Sequence, residues 1–255
     1  MPEFIVVAED ESDARMVCAI ADRVLLEASP DWLDETILPH SRSWTSIEGN
    51  QSCTRWRNIH SLYQTYRLPR YRGHVNNEPQ GIDTAVTRKA IRLVLKIKET
   101  QPDREIIALV LSRDLDSQIE RRQGIQQAIA EVEDRLPVTL ASQYPKRENW
   151  ILNGFRCDNE QEELRLSTIR QRLNFDPCEE AHRLRYSSNT SDPARNPKRI
   201  IEELEIDFER EQRCWDGISL DILRTRGEST YLRHYLDEVE EKLLSLLTGK
   251  PPASN

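Results

Sequence analysis

The chain has 255 residues, of which 37% are hydrophobic and 31% are charged. This balance can bury a core and excludes wholesale disorder. No apolar run approaches the roughly 20 residues that cross a bilayer, and the first residues lack the basic region of a signal peptide. The five cysteines are scattered without a Cys-x-x-Cys pair, which suits reduced thiols. We therefore expect a cytoplasmic protein with no membrane contact.

Strand-like and helix-like segments alternate along the first part of the chain. Residues 4–8 form an unbroken apolar run, typical of a strand that is covered on both faces. Apolar residues then recur at helical spacing, and the alternation returns after residue 82. Such an order predicts βαβ units and a mostly parallel α/β sheet. The predicted elements are strands at 4–8, 106–111 and 137–141, and helices at 12–28, from Asp83 to about 97, and 117–134.

Residues 29–82 are broken by four prolines, and we interpret them as one sheet strand plus an irregular insertion. From residue 50 to residue 77 there is no acid, and arginines alternate with tryptophan and tyrosine. Because the net charge of the chain is −8, nucleic acid would need such a local basic surface. Guanidinium groups suit phosphates and rings suit unpaired bases, although a solvated insertion or a protein interface fits as well. The candidate nucleic-acid-binding residues are Arg55, Arg57, Arg67, Arg70 and Arg72.

Beyond residue 155 the pattern predicts helices and loops. We expect helices at 162–173, 197–215 and 229–247, and the leucine stripe of the last one predicts a buried face. The predicted organisation is an α/β domain at 1–155, which contains the insertion 29–82, and a helical C-terminal extension at 156–255.

Both of the clearest strands end in carboxylates. Glu9 follows the first strand, and Asp114 and Asp116 follow the central one. Functional groups in parallel sheets gather beyond the carboxyl ends of the strands, and two aspartates separated by one residue in an extended segment point the same way. Carboxylate oxygens are ligands of hard cations such as Mg²⁺. These residues therefore predict a divalent metal site, whereas Asp10 and Glu11 fit helix capping.

Three motifs in this order resemble those of Toprim domains, which occur in topoisomerases, primases and OLD-type nucleases. Glu9 with Asp13 resembles the first motif, and Asp114-Leu115-Asp116 resembles the Asp-x-Asp motif. Residues 148–152 (ENWIL) resemble the Glu-x-Trp segment of small stand-alone Toprim-like proteins, which are frequent in anti-phage loci beside an ATPase. The resemblance covers residues 1–155. It departs from the family at Asp10, where a glycine is usual, and in the length of the insertion.

The resemblance implies Mg²⁺-dependent (or Mn²⁺-dependent) phosphodiester chemistry. Glu9, Asp114 and Asp116 would hold one metal, Asp13 and Glu148 would support a second, and Lys146 would stabilise the phosphate charge. A two-metal site activates a water and stabilises the leaving oxygen. No tyrosine is placed for topoisomerase chemistry, so hydrolysis is the favoured reaction.

The acidic opening of the chain also resembles a response-regulator receiver domain. A receiver needs a phospho-accepting aspartate some 40 to 45 residues later, and residues 48–54 contain none. The favoured hypothesis is a nuclease of anti-phage defence that hydrolyses DNA or RNA, with DNA favoured, and that acts with an ATPase subunit. A homodimer is left open. The main alternative is a catalytically weak Toprim-like scaffold that binds and regulates such an ATPase.

Overall fold

A computed structural model describes residues 1–69, 74–75, 78–79, 81–132, 134–185 and 192–249 of the chain. The chain forms two compact units. The first unit comprises Met1–Arg113, Gln118–Ala141 and Asp237–Asn255, and the second comprises Asp114–Ser117 and Ser142–Leu236.

The strands alternate with helices in the first part of the chain, as predicted. The strands are β1 (Glu3–Ala8), β2 (Ser43–Thr45), β3 (Thr54–Arg55), β4 (His74–Val75), β5 (Glu78–Pro79), β6 (Ile106–Asp114) and β7 (Val138–Gln143). The helices of this part are α1 (Glu11–Ala28), α2 (Leu38–Ser41), α3 (Ile59–Thr65), α4 (Thr84–Thr100) and α5 (Ile119–Ala130).

The remaining elements are helical. They are α6 (Arg147–Gly154), α7 (Glu160–Leu173), α8 (Pro197–Glu203), α9 (Phe208–Asp216), α10 (Leu220–Arg226), α11 (Leu232–Glu238) and α12 (Leu244–Thr248), with a π-helical turn at Val239–Leu243 between the last two. Single 3₁₀ turns lie at Trp56–Asn58, Ala181–Arg183, Pro193–Arg195 and Glu228–Thr230.

The main sheet has the strand order β2-β1-β6-β7, with β3 also paired to β1. Strand β1 runs parallel to β2, β3 and β6. Its register with β6 aligns Val7 with Leu111. The predicted parallel α/β sheet is therefore confirmed, and the two strands that end in acidic sequences are neighbours.

Both faces of strand β1 are covered in the first unit, which explains its unbroken apolar run. Ile5 and Val7 pack into a core with residues of α3, α4 and α5. Val6 and Ala8, which point to the opposite face because side chains alternate along a strand, pack against Ala14 of α1. The five residues from Phe4 to Ala8 are completely buried.

Helix α6 organises the second unit through buried side chains. The Trp150 indole donates to the carbonyl oxygen of Thr230 over 2.8 Å and stacks on Tyr235. The Asn149 amide donates to the carbonyl oxygen of Ala181 over 2.6 Å. A Cβ atom on Gly154 would lie 1.8 Å from the carbonyl oxygen of Cys214, so α6 and α9 pack in direct backbone contact at this glycine.

Two predicted helices differ from the structure. The helix expected at 197–215 is split into α8 and α9, because Glu205 adopts a positive φ of 54° and the Asp207 side chain caps a new helix start. The helix expected at 117–134 is shorter, since Asp116 and Ser117 both have positive φ. The stripe at 229–247 is largely buried as predicted.

All five cysteines are free thiols, and three of them are buried. Burial raises the pKa of Cys18, Cys53 and Cys178 above the ordinary thiol value. Burial likewise raises the pKa of Cys157 to about 11 and that of Cys214 to about 12. These environments leave the thiols poorly ionised at neutral pH.

Candidate metal centre

Glu9 lies directly after strand β1 in the first unit. The register that aligns Val7 with Leu111 brings Glu9 level with Arg113. The Arg113 Nη1 atom donates to Glu9 Oε1 over 2.5 Å. The Glu9 side chain keeps an exposed fraction of 37%. Its carboxylate is therefore both charge-balanced and open to solvent.

Arg113 connects Glu9 to two further groups of the first unit. Its Nε and Nη2 atoms donate to the two oxygens of Asp83 over 3.1 and 3.3 Å. Its guanidinium lies 5.4 Å from the centre of the Trp56 ring, and the Trp56 indole donates to the carbonyl oxygen of Ser112 over 2.6 Å. The stacking and the fork of hydrogen bonds fix the plane of the guanidinium, so Arg113 orients the Glu9 carboxylate.

Sequence reasoning missed Arg113 and interpreted Asp83 only as the start of a helix. Asp83 does precede helix α4, but it has a positive φ of 64° and its side chain makes no capping bond. Its carboxylate binds Arg113 instead. The available signal was the position of Arg113 between a buried strand and the acidic pair, where a charge on one strand meets its neighbour in the sheet.

The other acidic residues after β1 follow the capping expectation in part. Asp10 caps α1 by accepting from the Ser12 and Asp13 backbone N–H groups over 2.8 and 3.1 Å. Asp13 is buried in the first turn of α1, with an exposed fraction of 5%. Glu11 lies in the same turn and forms an ion pair of 3.0 Å with Arg55. Capping is therefore confirmed for Asp10.

Asp114 and Asp116 belong to the second unit. Asp114 is the last residue of β6, and its Oδ1 atom accepts from the Arg147 backbone N–H over 2.8 Å. The prediction of an extended Asp-x-Asp segment is wrong at Asp116, where φ is +49°. Its backbone N–H donates to the carbonyl oxygen of Pro145 over 2.9 Å. The turn directs Asp116 to the segment that carries Lys146.

Lys146 is surrounded by carboxylates within the second unit. Its Nζ atom lies 3.0 Å from Asp116 Oδ1. Burial lowers the pKa of Lys146, but the hydrogen bond and charge of Asp116 and the charges of Asp114 and Glu148 outweigh it, so the pKa rises above 10.5. We call Lys146, Asp114, Asp116 and Glu148 the Lys146 cluster. It brings together four of the residues that the sequence singled out.

Glu148 is the least satisfied carboxylate of the Lys146 cluster. It lies in the first turn of α6 with an exposed side-chain fraction of 14%, and its Oε1 atom is 3.7 Å from Lys198 Nζ. Its Oε2 atom is buried and has no hydrogen-bond partner among the residues that the structure describes. Leaving a buried charged oxygen unpaired costs free energy, which a bound cation would offset.

The donor chemistry of these residues fits a hard divalent cation. Carboxylates predominate, and the Lys146 cluster holds three of them around the Lys146 ammonium. In the described parts of the chain, however, no three His, Cys, Asp or Glu side chains are grouped closely enough to hold a metal. Glu9 and Asp13 lie in the first unit, whereas Asp114, Asp116, Lys146 and Glu148 lie in the second.

The candidate nucleic-acid residues have different environments. Arg55 is paired with Glu11, Arg57 and Arg67 are exposed, and Arg70 and Arg72 lie outside the described residues. The expectation of stacking rings is wrong for Trp56 and Tyr63, which are buried with exposed fractions of 5%. Their rings fill the core because α3 packs against α4 through them.

No family model, curated protein or solved structure matches the chain. Of the helices in the described residues, none is long and apolar enough to cross a membrane.

Proposed function

We propose that the protein is a Mg²⁺-dependent or Mn²⁺-dependent nuclease of the Toprim-like type, which hydrolyses phosphodiester bonds of DNA or RNA. The observation that carries the proposal is the Lys146 cluster, in which a partly buried ammonium faces three carboxylates and one carboxylate oxygen has no described partner. The pairing of β1 with β6 in the first unit adds support, because Glu9 follows the first of these strands.

The proposed ligands in the second unit are Asp114, Asp116 and Glu148. Glu9 and Asp13 of the first unit are proposed as ligands from the Toprim resemblance alone. When bound, the metal supplies Lewis-acid stabilisation and an activated water. The Arg147 backbone N–H fixes the Asp114 carboxylate, and the Lys146 ammonium, held 3.0 Å from Asp116, would stabilise the charge of the scissile phosphate. The raised pKa of Lys146 keeps its ammonium charged up to higher pH than an ordinary lysine.

The biological setting is also proposed from the resemblance. Small stand-alone Toprim-like proteins are frequent in anti-phage loci beside an ATPase, and we propose such a setting and such a partner for this chain. DNA is the proposed substrate in preference to RNA.

One observation favours the alternative of a catalytically weak scaffold that binds and regulates an ATPase. Glu9 is already neutralised by Arg113 and Asp116 by Lys146. A divalent ion would have to displace or share these cations, and the described residues include no ready metal-binding group. A scaffold would retain the fold and these ion pairs without turnover.

Metal titration and cleavage assays on isosteric variants separate the two functions. Glu9→Gln, Asp114→Asn and Glu148→Gln each remove one charge with little change of shape. We expect Asp114→Asn to weaken Mn²⁺ binding and to slow cleavage by about 100-fold or more. Replacing a residue that merely hydrogen-bonds to a metal ligand already lowers metal affinity or activity by about 10–100-fold. Calorimetry with Mn²⁺ and cleavage of labelled DNA and RNA, with and without the ATPase partner, measure both effects. The matched control is Asp103→Asn, an exposed aspartate of the first unit.

The outcomes divide the proposal into parts. Binding and cleavage that survive in all three variants would refute the site. Loss in Asp114→Asn and Glu148→Gln but not in Glu9→Gln would confine the ligands to the Lys146 cluster. Wild-type protein that binds its partner but never cuts either nucleic acid in Mg²⁺ or Mn²⁺ would establish the scaffold.

A further inference from the structure

Helix α3 and most of helix α4, which pack together in the first unit, lack acidic residues in a chain whose net charge is −8. Neither residues 50–77, which include α3, nor residues 84–98, which form most of α4, contain Asp or Glu. Helices α3 and α4 pack against each other through buried apolar residues. The polar side chains of both helices therefore form a surface with an unusual local excess of positive charge.

The positive residues of α4 form a stripe. Lys89, Arg92 and Lys96 are spaced by three and four residues, so they share one face of the helix. Lys98, nine residues after Lys89, points to the opposite face of the helix. Arg92 is exposed and the two lysines are half-buried. The stripe extends about 10 Å along the helix axis at 1.5 Å per residue.

His60 joins this stripe to α3. Its Nδ1 atom lies 3.2 Å from Lys89 Nζ, and the same ammonium lies 6.0 Å from the centre of the Tyr63 ring. Arg57 precedes His60 by one turn and is exposed. Within the described residues, neither Lys89 nor Arg57 has a carboxylate within ion-pair distance. We call Arg57, His60, Lys89, Arg92 and Lys96 the α3–α4 basic face.

We propose that the α3–α4 basic face binds the phosphate backbone of nucleic acid. The stripe length of about 10 Å corresponds to about three phosphate steps of one strand of a duplex at about 3.4 Å each. Among the described residues, Lys89 and Arg57 have no carboxylate within ion-pair distance, so they can exchange their hydration and counterions for phosphates. Such exchange is the main source of backbone affinity. This inference rests on the proposed function in that it names the surface that would hold the substrate.

The exposed residues of α3 favour nucleic acid over an acidic protein. Protein interfaces place exposed aromatic and apolar anchors at their centre. On α3 the aromatic Tyr63 is buried, and the exposed positions are His60, Ser61, Gln64 and Thr65. Such a surface offers charge and hydrogen bonds without anchors. Such a surface suits a nucleic-acid backbone that is bound through its phosphates without contacts to the bases.

The test is fluorescence anisotropy with a labelled single-stranded oligonucleotide and its duplex, in EDTA so that cleavage plays no part. The Lys89→Glu/Arg92→Glu variant changes two members of the face. The control, Lys98→Glu/Arg135→Glu, changes the net charge equally at two exposed positions of the same unit. We expect the Kd of the first variant to rise at least tenfold. The slope of its log Kd against log salt concentration should fall by an amount equal to about two phosphate contacts. The control should change the Kd by less than about threefold.

Equal weakening in both double variants, or no oligonucleotide binding by the wild type, would overturn the proposal. So would a face variant that binds oligonucleotides normally but loses an acidic protein that co-purifies with the wild type. The assay separates this inference from the nuclease. Binding through the face by a protein that never cuts refutes the nuclease alone, whereas cleavage that is indifferent to Lys89 and Arg92 refutes the face alone.

Discussion

Two charge clusters of the second unit differ in how completely their ions are satisfied. In one, Arg210 donates twice to Glu162, each over 2.9 Å, donates again to the Arg156 carbonyl oxygen, and lies 4.7 Å from the centre of the Phe155 ring. In the Lys146 cluster the Lys146 ammonium interacts with three carboxylates, Lys198 lies 3.7 Å from one of them, and the Glu148 Oε2 atom is buried without a hydrogen-bond partner among the described residues. The first arrangement is closed, whereas the second leaves this carboxylate oxygen unsatisfied.

The difference teaches which cluster is built for stability. A buried pair stabilises a fold only when its donors and acceptors are satisfied, and that condition holds for Arg210 and Glu162. Burial raises the pKa of Glu162, but the Arg210 hydrogen bonds outweigh it and the pKa is lowered. The Lys146 cluster, in which Glu148 Oε2 is buried without a described hydrogen-bond partner, should contribute less to stability than the Arg210–Glu162 pair.

Removal of the Arg210 guanidinium should have the largest effect on the free energy of unfolding. We expect Arg210→Met to lower the free energy of unfolding by about 3–5 kcal/mol, because Glu162 stays buried without its partner. Urea unfolding measures the loss. The exposed Arg213, which pairs with Asp158 over 2.9 Å, is the control, and Arg213→Met should cost less than about 1 kcal/mol. Equal losses in the two variants would contradict the assignment of Arg210 as a closed structural pair.

The backbone contact between α6 and α9 should have an intermediate effect. Helix α6 carries Glu148 and α9 carries Arg210, so both clusters depend on it. We expect Gly154→Ala to cost about 1–3 kcal/mol, since the new methyl group would overlap the Cys214 carbonyl oxygen. The larger side chain of Gly154→Ser should cost at least as much in the same unfolding experiment. A neutral Gly154→Ala would show that backbone fit does not hold the two helices together.

Loss of the lysine should have the smallest effect and should depend on pH. The raised pKa of Lys146 means that its stabilisation is complete below pH 10.5 and is lost as the pH rises through the folded-state pKa. We expect Lys146→Met to be less stable than wild type by under about 1 kcal/mol at pH 8. That difference should shrink above pH 10.5.

The control for Lys146→Met is Lys98→Met, an exposed position where the stability difference should show no such pH dependence. Unfolding curves at several pH values measure both variants. A loss in Lys146→Met as large as that in Arg210→Met would erase the distinction between the two clusters.

The sheet could be predicted from the sequence because a strand that is buried on both faces consists of apolar residues without interruption. Strand β1 is apolar without interruption, and the run at 106–111 is its neighbour in the sheet. The direction in which the acidic side chains point was harder to predict from the sequence. The positive φ of Asp116 has no signature in a residue that also occurs in extended segments, so the turn toward Lys146 was not predicted.

Long-range charge pairs were also hidden from the sequence. Arg113 and Asp83 are 30 residues apart, and no periodicity links them. The split between α8 and α9 was missed because apolar spacing continues through Leu204 and Ile206, although Asp207 is a typical helix cap. Local sequence patterns indicate burial and helix caps. Ion pairs between distant residues depend on the tertiary fold, which local patterns do not show.

The protected thiols have a practical consequence for labelling chemistry. Alkylating and maleimide reagents attack the thiolate, whose fraction falls as the thiol pKa rises. With the pKa values of all five cysteines raised, two of them to about 11 and about 12, the native thiols should react slowly at neutral pH. A single cysteine introduced at an exposed site would then carry a spin label or fluorophore selectively, with the natural cysteines left in place.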